Sequence, residues 1–194
     1  MVAADEIFSS KEVLIETFEI AEINFLQSFK GIKTKIVSQQ FRDDVNHIAW
    51  IIGHCISHMD LYLSVFSKER KLTDKQRKYH AYGVSKNEVE QFPFSFKELI
   101  DIYLSISEEF IEKLKSLSEE DFSRIKFPDN NENLRQLMQR ITLHYMGHSG
   151  QIVLLRRIFD DPFWSFVGGV SEKNRNKFRK EWIEWWEENK KAYI

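Results

Sequence analysis

Leu143-His144-Tyr145-Met146-Gly147-His148-Ser149-Gly150-Gln151-Ile152 is the stretch from which the rest of the chain can be read. Its two histidines stand four residues apart in a segment of strong helical periodicity. At 3.6 residues per turn they lie about 40° apart around a helix and roughly 6 Å apart along it. That spacing suits two imidazoles converging on one metal ion. On the same projection His148 falls in the middle of a stripe of Leu134, Leu137, Ile141, Ile152, Leu155 and Phe159. Gln139, Gly150 and Arg157 fall opposite. A ring centred on an apolar stripe must be hydrogen-bonded or coordinated, because its nitrogens are costly to bury unpaired. For one histidine, a backbone carbonyl or a water suffices. Two on one inward face make a metal the competing explanation.

Working outward, the periodicity predicts four long helices and a fifth at the C-terminus. Ser9-x-x-Glu12 reads as a capping box, with Leu14, Phe18, Ala21, Phe25 and Phe29 on one face and an end near Gly31. Residues 32–41 read as a polar connection. The second helix is expected from Asp43-Asp44, whose charges suit a helix N-terminus, to about Phe66. It carries His47, His54 and His58 on one stripe bordering the apolar arc of Ile48, Ile52, Cys55, Met59 and Leu63. Gly53, Ser57, Asp60 and Ser64 form its polar flank, so a site on this margin is open to solvent.

The long connection from Ser67 to Pro93 holds one short capped helix, marked by Thr73-x-x-Gln76 and ending at Gly83. His80, with no histidine at ligand spacing, reads as a surface residue. Ser95 with Glu98 and Phe94 with Leu99 mark the third helix by box and staple, and Phe96, Ile100, Tyr103, Ile106 and Phe110 face inward. Asp129-Asn130-Asn131 breaks the chain before a fourth helix running from about Glu132 to Phe159. Pro162 and Gly168-Gly169 end the bundle, dividing the chain into a bundle at 1–160 and an extension at 161–194.

The last helix, from Ser171, is basic in its first half and holds Trp182, Trp185 and Trp186 in its second. A basic stretch beside aromatics can bind single-stranded nucleic acid. Glu181, Glu184, Glu187 and Glu188 would repel phosphates, which favours a helix docking Phe178, Trp182 and Trp185 on its own bundle, with a second subunit as the alternative.

Composition sets the outer bounds. At 194 residues the chain fits one domain, or one domain with an appendage. Seven Gly and three Pro leave little material for the turns of an all-β fold. No segment reads as a membrane span or a leader peptide. The single cysteine, Cys55, excludes an intramolecular disulfide and fits a reducing cytoplasm. A net charge of −2 gives no reason to expect nucleic-acid or membrane attraction.

The expected fold class is therefore all-α, a four-helix bundle with a long connection between helices two and three and an additional C-terminal helix. Metal sites in bundles use side chains on facing helices, so the pair on helix four needs a partner. The second helix is the other histidine-rich one, and Gly53 beside His54 allows close approach. Tyr145 stands where H-E-x-x-H peptidases have their glutamate, which argues against that chemistry.

Asn46-His47-Ile48-Ala49-Trp50-Ile51-Ile52-Gly53-His54, followed by His144-x-x-x-His148-x-Gly150-Gln151-Ile152, resembles the DinB-like superfamily, also described through its YfiT members. The similarity covers roughly residues 10–160. It implies a divalent metal, often nickel or zinc, held by His54, His144 and His148, with His47 and His58 outside the ligand set. It also implies metal-activated thiol transfer or hydrolysis of a small molecule, possible partners being a low-molecular-weight thiol and a second copy of the chain. A non-catalytic metal- or ligand-binding protein of a stress response, and a metal-free interaction module, are the alternatives.

Overall fold

Side-chain caps set most of the helix starts in this protein, whose computed structural model describes residues 9–80, 94–127, 131–163, 166–169 and 171–193. Helix α1 (Ser10–Phe29) opens on Ser9, whose hydroxyl accepts from Glu12 N while the Glu12 carboxylate accepts from Ser9 N. It closes before Gly31, whose φ of +66° is a left-handed conformation that glycine adopts without a Cβ clash. The connection that follows is less polar than its composition suggests. It forms the single turn α2 (Thr34–Val37), with Ile32, Ile36 and Val37 buried.

Helix α3 (Ile48–Ser67) begins later than Asp43-Asp44. His47 is its N-cap, with Nδ1 accepting from Trp50 N at 3.0 Å. Exposed acidic residues favour a helix start only weakly, and the side-chain cap decides the boundary. Helix α4 (Asp74–Tyr79) has the expected Thr73–Gln76 box and ends at His80; Gly83 lies outside the described residues. Ser95 Oγ accepts from Glu98 N to start α5 (Phe96–Ser116), and Phe94 and Leu99 are both buried, as staple partners should be.

The turn α6 (Asp121–Arg124) leads to a two-residue antiparallel ladder, β1 (Lys126–Phe127) with β2 (Glu132–Asn133). Glu132 therefore belongs to a strand and does not start the next helix. Asn133 caps α7 (Leu134–Ile158) in a reciprocal box with Gln136. Helix α8 (Glu172–Asn189) follows Ser171 as expected and ends in a 3-10 turn, Lys190–Tyr193.

The architecture is an all-α four-helix bundle in which α1 lies along α7 and α3 along α5. Phe18, Phe25, Tyr103, Phe110 and Tyr145 meet edge-on or tilted at its centre, at centroid distances from 4.9 to 6.4 Å. Helix α3 also has the length and mean hydropathy, 1.2 over 18 residues, of a membrane span. Here 61% of that window is buried inside the protein, the use a bundle core makes of such a helix.

Helix α1 is buried nearly all round between Phe18 and Phe29, where its sequence suggests a single apolar face. The reason is α8, which also packs on α1. Its basic half pairs with carboxylates of α1: Arg175 with Glu16 at 2.7 Å and Glu19 at 2.8 Å, Arg179 with Glu22 at 3.2 Å. The tryptophan face is also rotated from expectation. Trp182 and Trp186 are fully buried, while Phe178 and Trp185 are half-buried. Both indoles of the buried pair find acceptors, Leu26 O and Asp101 Oδ1, each at 2.8 Å. Burying a Trp N–H requires such a partner, and that requirement selects the rotation.

Candidate metal centre

Three imidazoles converge where α3 faces α7. His54 is 8% exposed, and His144 and His148 are half-buried. His144 Nε2 lies 3.2 Å from His54 Nε2 and 2.9 Å from His148 Nε2. One ring nitrogen from each of the three falls within 4.8 Å of the others. Two nitrogens bound at about 2.0–2.1 Å to one ion are separated by roughly 2.9 Å at right angles and 3.3 Å at the tetrahedral angle. The observed spacings fall in that interval.

The outer nitrogens show which way the lone pairs point. His54 Nδ1 lies 3.3 Å from His80 O, and His148 Nδ1 lies 2.7 Å from Gln151 Oε1. Both oxygens can only accept, so each Nδ1 carries the hydrogen. In a neutral ring this leaves Nε2 with its lone pair. Two lone pairs therefore face His144 Nε2, an arrangement that repels itself unless a cation or a proton is shared among them. The donor set, three ring nitrogens of which two have the far side of the ring hydrogen-bonded, fits a transition metal.

Burial disfavours the protonated form of all three rings. Burial, then the neighbouring His148, His58 and His54, push His144 down to about 3. Burial likewise lowers His54 and His148, against the opposing pull of their carbonyl partners. A neutral imidazole is the form that ligates metal.

The surroundings differ from the sequence reading in four places. His148 does not sit at the middle of the buried face. That face is wider than the Leu/Ile stripe, because Met138, Thr142, Tyr145, Ser149 and Arg156 are also buried. It centres near Tyr145 and puts both histidines on its margin, open to solvent.

His80 is not a surface residue. It is 1% exposed, its carbonyl orients His54, and its ring fills the space where a Gly53 side chain would stand. The signal was present in Gly53, but what approaches the glycine is a side chain from the connection and not a facing helix. Trp50 completes this wall, stacked on His54 with centroids 4.8 Å apart and donating its indole N–H to Tyr79 O.

Asp60, placed on the polar flank, is buried, and accepts from Arg70 Nε at 2.6 Å and Lys71 N at 2.7 Å. His47, on the histidine stripe, is a helix cap whose Nε2 lies 3.4 Å from the Tyr79 hydroxyl. His58 packs against His54 and His144 without joining the converging nitrogens. Cys55 is fully buried, and burial pushes its thiol well above the ordinary range. It is therefore no nucleophile.

With four helices in this order and histidines converging from the second and fourth long helices, the comparison with known families is decisive. The DinB superfamily matches residues 17–152. This chain belongs to the DinB superfamily. The matched span begins inside α1 and ends at Ile152 of α7, so it includes His54, His144 and His148. Comparison with curated proteins gave no match. As a DinB protein the chain also carries α8, which lies beyond the matched residues.

Proposed function

We propose that His54, His144 and His148 hold one divalent cation through their Nε2 atoms, zinc or nickel by family likeness, and that the centre acts on a small molecule. The observation that carries this reading is the convergence of the three nitrogens, two of them with the far side of the ring fixed by an acceptor oxygen. A divalent ion held by neutral imidazoles keeps its full charge and acidifies a bound water or thiol. The protein's own part is to aim the imidazoles, keep them unprotonated and exclude water on the side of His80 and Trp50.

The reaction class we favour is transfer to or from a low-molecular-weight thiol, with hydrolysis next. A cytoplasmic setting, where such thiols are reduced, agrees with a lone buried cysteine. One observation favours a binding role without turnover. Among the described residues no carboxylate joins the three-histidine group, so a general base is not built into it.

Metal content of the purified protein by elemental analysis is the first test, with one equivalent expected. Alanine at His54, His144 or His148 should each strip most of it. Equal metal in wild type and His148→Ala would overturn the ligand assignment. Thiol-conjugation and ester-hydrolysis assays on the loaded protein then separate catalysis from binding.

A further inference from the structure

Three buried oxygens at the centre of the bundle lack a hydrogen bond among the described residues: Glu22 Oε2 of α1, the Tyr103 hydroxyl of α5 and the Tyr145 hydroxyl of α7. All three residues are 0% exposed. They belong to one neighbourhood. Phe18, Glu22 and Phe25 follow one another at four and three residues, so they share a face of α1. Both phenylalanines touch the Tyr145 ring, at centroid distances of 5.6 and 4.9 Å, and Phe25 also meets Tyr103 at 5.5 Å. Ser107, which donates to Glu22 Oε1 at 2.7 Å, stands one turn beyond Tyr103 on α5. The two phenols are near enough to influence one another, and both feel the Glu22 charge. Yet none of the three oxygens meets another in hydrogen-bond geometry.

A buried oxygen without a partner costs the desolvation of its whole group. Three of them in one neighbourhood call for a shared partner, and their chemistry decides what it is. Burial, before any neighbouring charge, pushes both phenols well above their ordinary range, so each keeps a hydrogen to donate. A carboxylate oxygen can only accept. The partner must therefore accept from two phenols and donate to one oxygen. It must also be neutral, because Arg179, 3.2 Å from Glu22 Oε1, already balances the carboxylate. A cation offers no lone pair to the phenol hydrogens. Water meets every demand, and about three hydrogen bonds is what a buried water makes. It has a source close by. Glu22 and Arg179 help to line a cleft of about 160 Å³ between α1, α5 and α8, and a single water needs roughly 10–15 Å³.

We propose that Glu22, Tyr103 and Tyr145 form an interior site for one ordered water, which accepts from both phenols and donates to Glu22 Oε2. The site ties α7, at the turn between His144 and His148, to α1 and α5. It stands apart from the metal reading and needs no bound ion.

Tyr103→Phe and Tyr145→Phe keep the rings and remove one donor each. Were the hydroxyls unpaired in solution, either change would raise the melting temperature, because it deletes a buried polar group that bonds nothing. With a water between them, each should lower it by a few degrees. The double variant should lose less than the two single losses added, since both donors serve one molecule. Magnetic relaxation dispersion of the water signal counts long-lived interior waters, and the count should fall by one in the double variant. A high-resolution crystal structure of the full chain should show one water within hydrogen-bond distance of all three oxygens. A higher melting temperature in either variant, strictly additive losses, an unchanged count of long-lived waters, or phenols bonded directly to Glu22 or to each other overturns the proposal.

Discussion

The backbone oxygen of His80 faces Nδ1 of His54 at 3.3 Å, and the His80 ring lies against the Gly53 backbone next to it. One residue of the long connection thus both orients a candidate ligand and fills the gap behind it. A methyl group at position 53 would overlap that buried ring, so one of the two must shift. Gly53→Ala should therefore push the ring and its carbonyl off His54. Loss of such a supporting contact lowers metal affinity by about 10–100-fold in metal sites generally. Competition with a chromophoric chelator measures it. A Gly53→Ala protein that folds and binds metal as the wild type does would show that the His80 contact supports nothing.

Gln151 makes the corresponding contact on α7, 2.7 Å from His148 Nδ1. Gln151→Leu removes the acceptor and frees the ring to turn or to change tautomer. Because Gln151 is exposed, water replaces part of what is lost, so the effect should lie near the lower end of that range, about tenfold. Gln151→Glu keeps an acceptor and adds charge, and should bind at least as tightly as the wild type. An order of affinities with Leu equal to or above Glu would remove Gln151 from the site.

How much of this was legible follows from what each signal depends on. The His144–His148 pair and its Gln151 neighbour were readable because a helix fixes relative direction over one turn. His54 was reached through the need for a facing ligand and through family likeness. His80 was not readable: it lies in a charged connection without periodicity, and its burial depends on a tertiary approach to Gly53. The same limit hid the burial of α1 nearly all round between Phe18 and Phe29, which depends on α8. The start of α3 is set by the His47 cap, which outweighs the dipole signal of Asp43 and Asp44 upstream.

Acid should unfold the metal-free protein earlier than its size suggests. Burial holds His80 and His144 down to about 3 and His58 to about 4, and lowers His54 and His148, all from an ordinary value of 6.5. Below about pH 6.5 the unfolded chain takes up protons that the folded chain refuses, so stability falls as the pH falls. For His80, His144 and His58 the contribution is complete above 6.5 and is lost progressively toward pH 3–4. His80, which is 1% exposed, costs about 1.4 kcal/mol per pH unit in that window. Melting of chelator-treated protein should drop by several degrees between pH 7.5 and 5. A flat profile over that range would mean these rings are not buried neutral in solution.

Helix α8 should be integral to the bundle. It supplies Arg179, whose Nη1 lies 3.2 Å from Glu22, a fully buried carboxylate that also accepts from Ser107 Oγ at 2.7 Å. Taking one partner from a buried pair costs about 3–5 kcal/mol, and a buried tryptophan cut to alanine costs a similar amount. Arg179→Ala and Trp186→Ala should each lower the melting temperature, and truncation after residue 170 should lower it further and expose surface that binds a hydrophobic dye. If truncation leaves the melting temperature and dye response unchanged, the helix does not stabilise its own bundle in solution.

The outer face of α7 carries the last prediction, that the protein forms a two-fold dimer. Leu143 is 73% exposed and Leu154 58%, and around a Cβ built on Gly147 or Gly150 there is open space. Leu143 precedes Gly147 by four residues and Leu154 follows Gly150 by four, so the face reads the same from either end. A two-fold axis demands that symmetry, because residue i must meet j while j meets i. We propose an antiparallel pair of α7 helices, each Leu143 against Leu154 of the partner subunit, with the glycines letting the backbones approach. Sedimentation at micromolar concentration should show a dimer that Leu143→Glu dissociates while the melting of the subunit changes little. A wild-type protein that stays monomeric, or a Leu143→Glu dimer as tight as the wild type, would rule out this face as the interface.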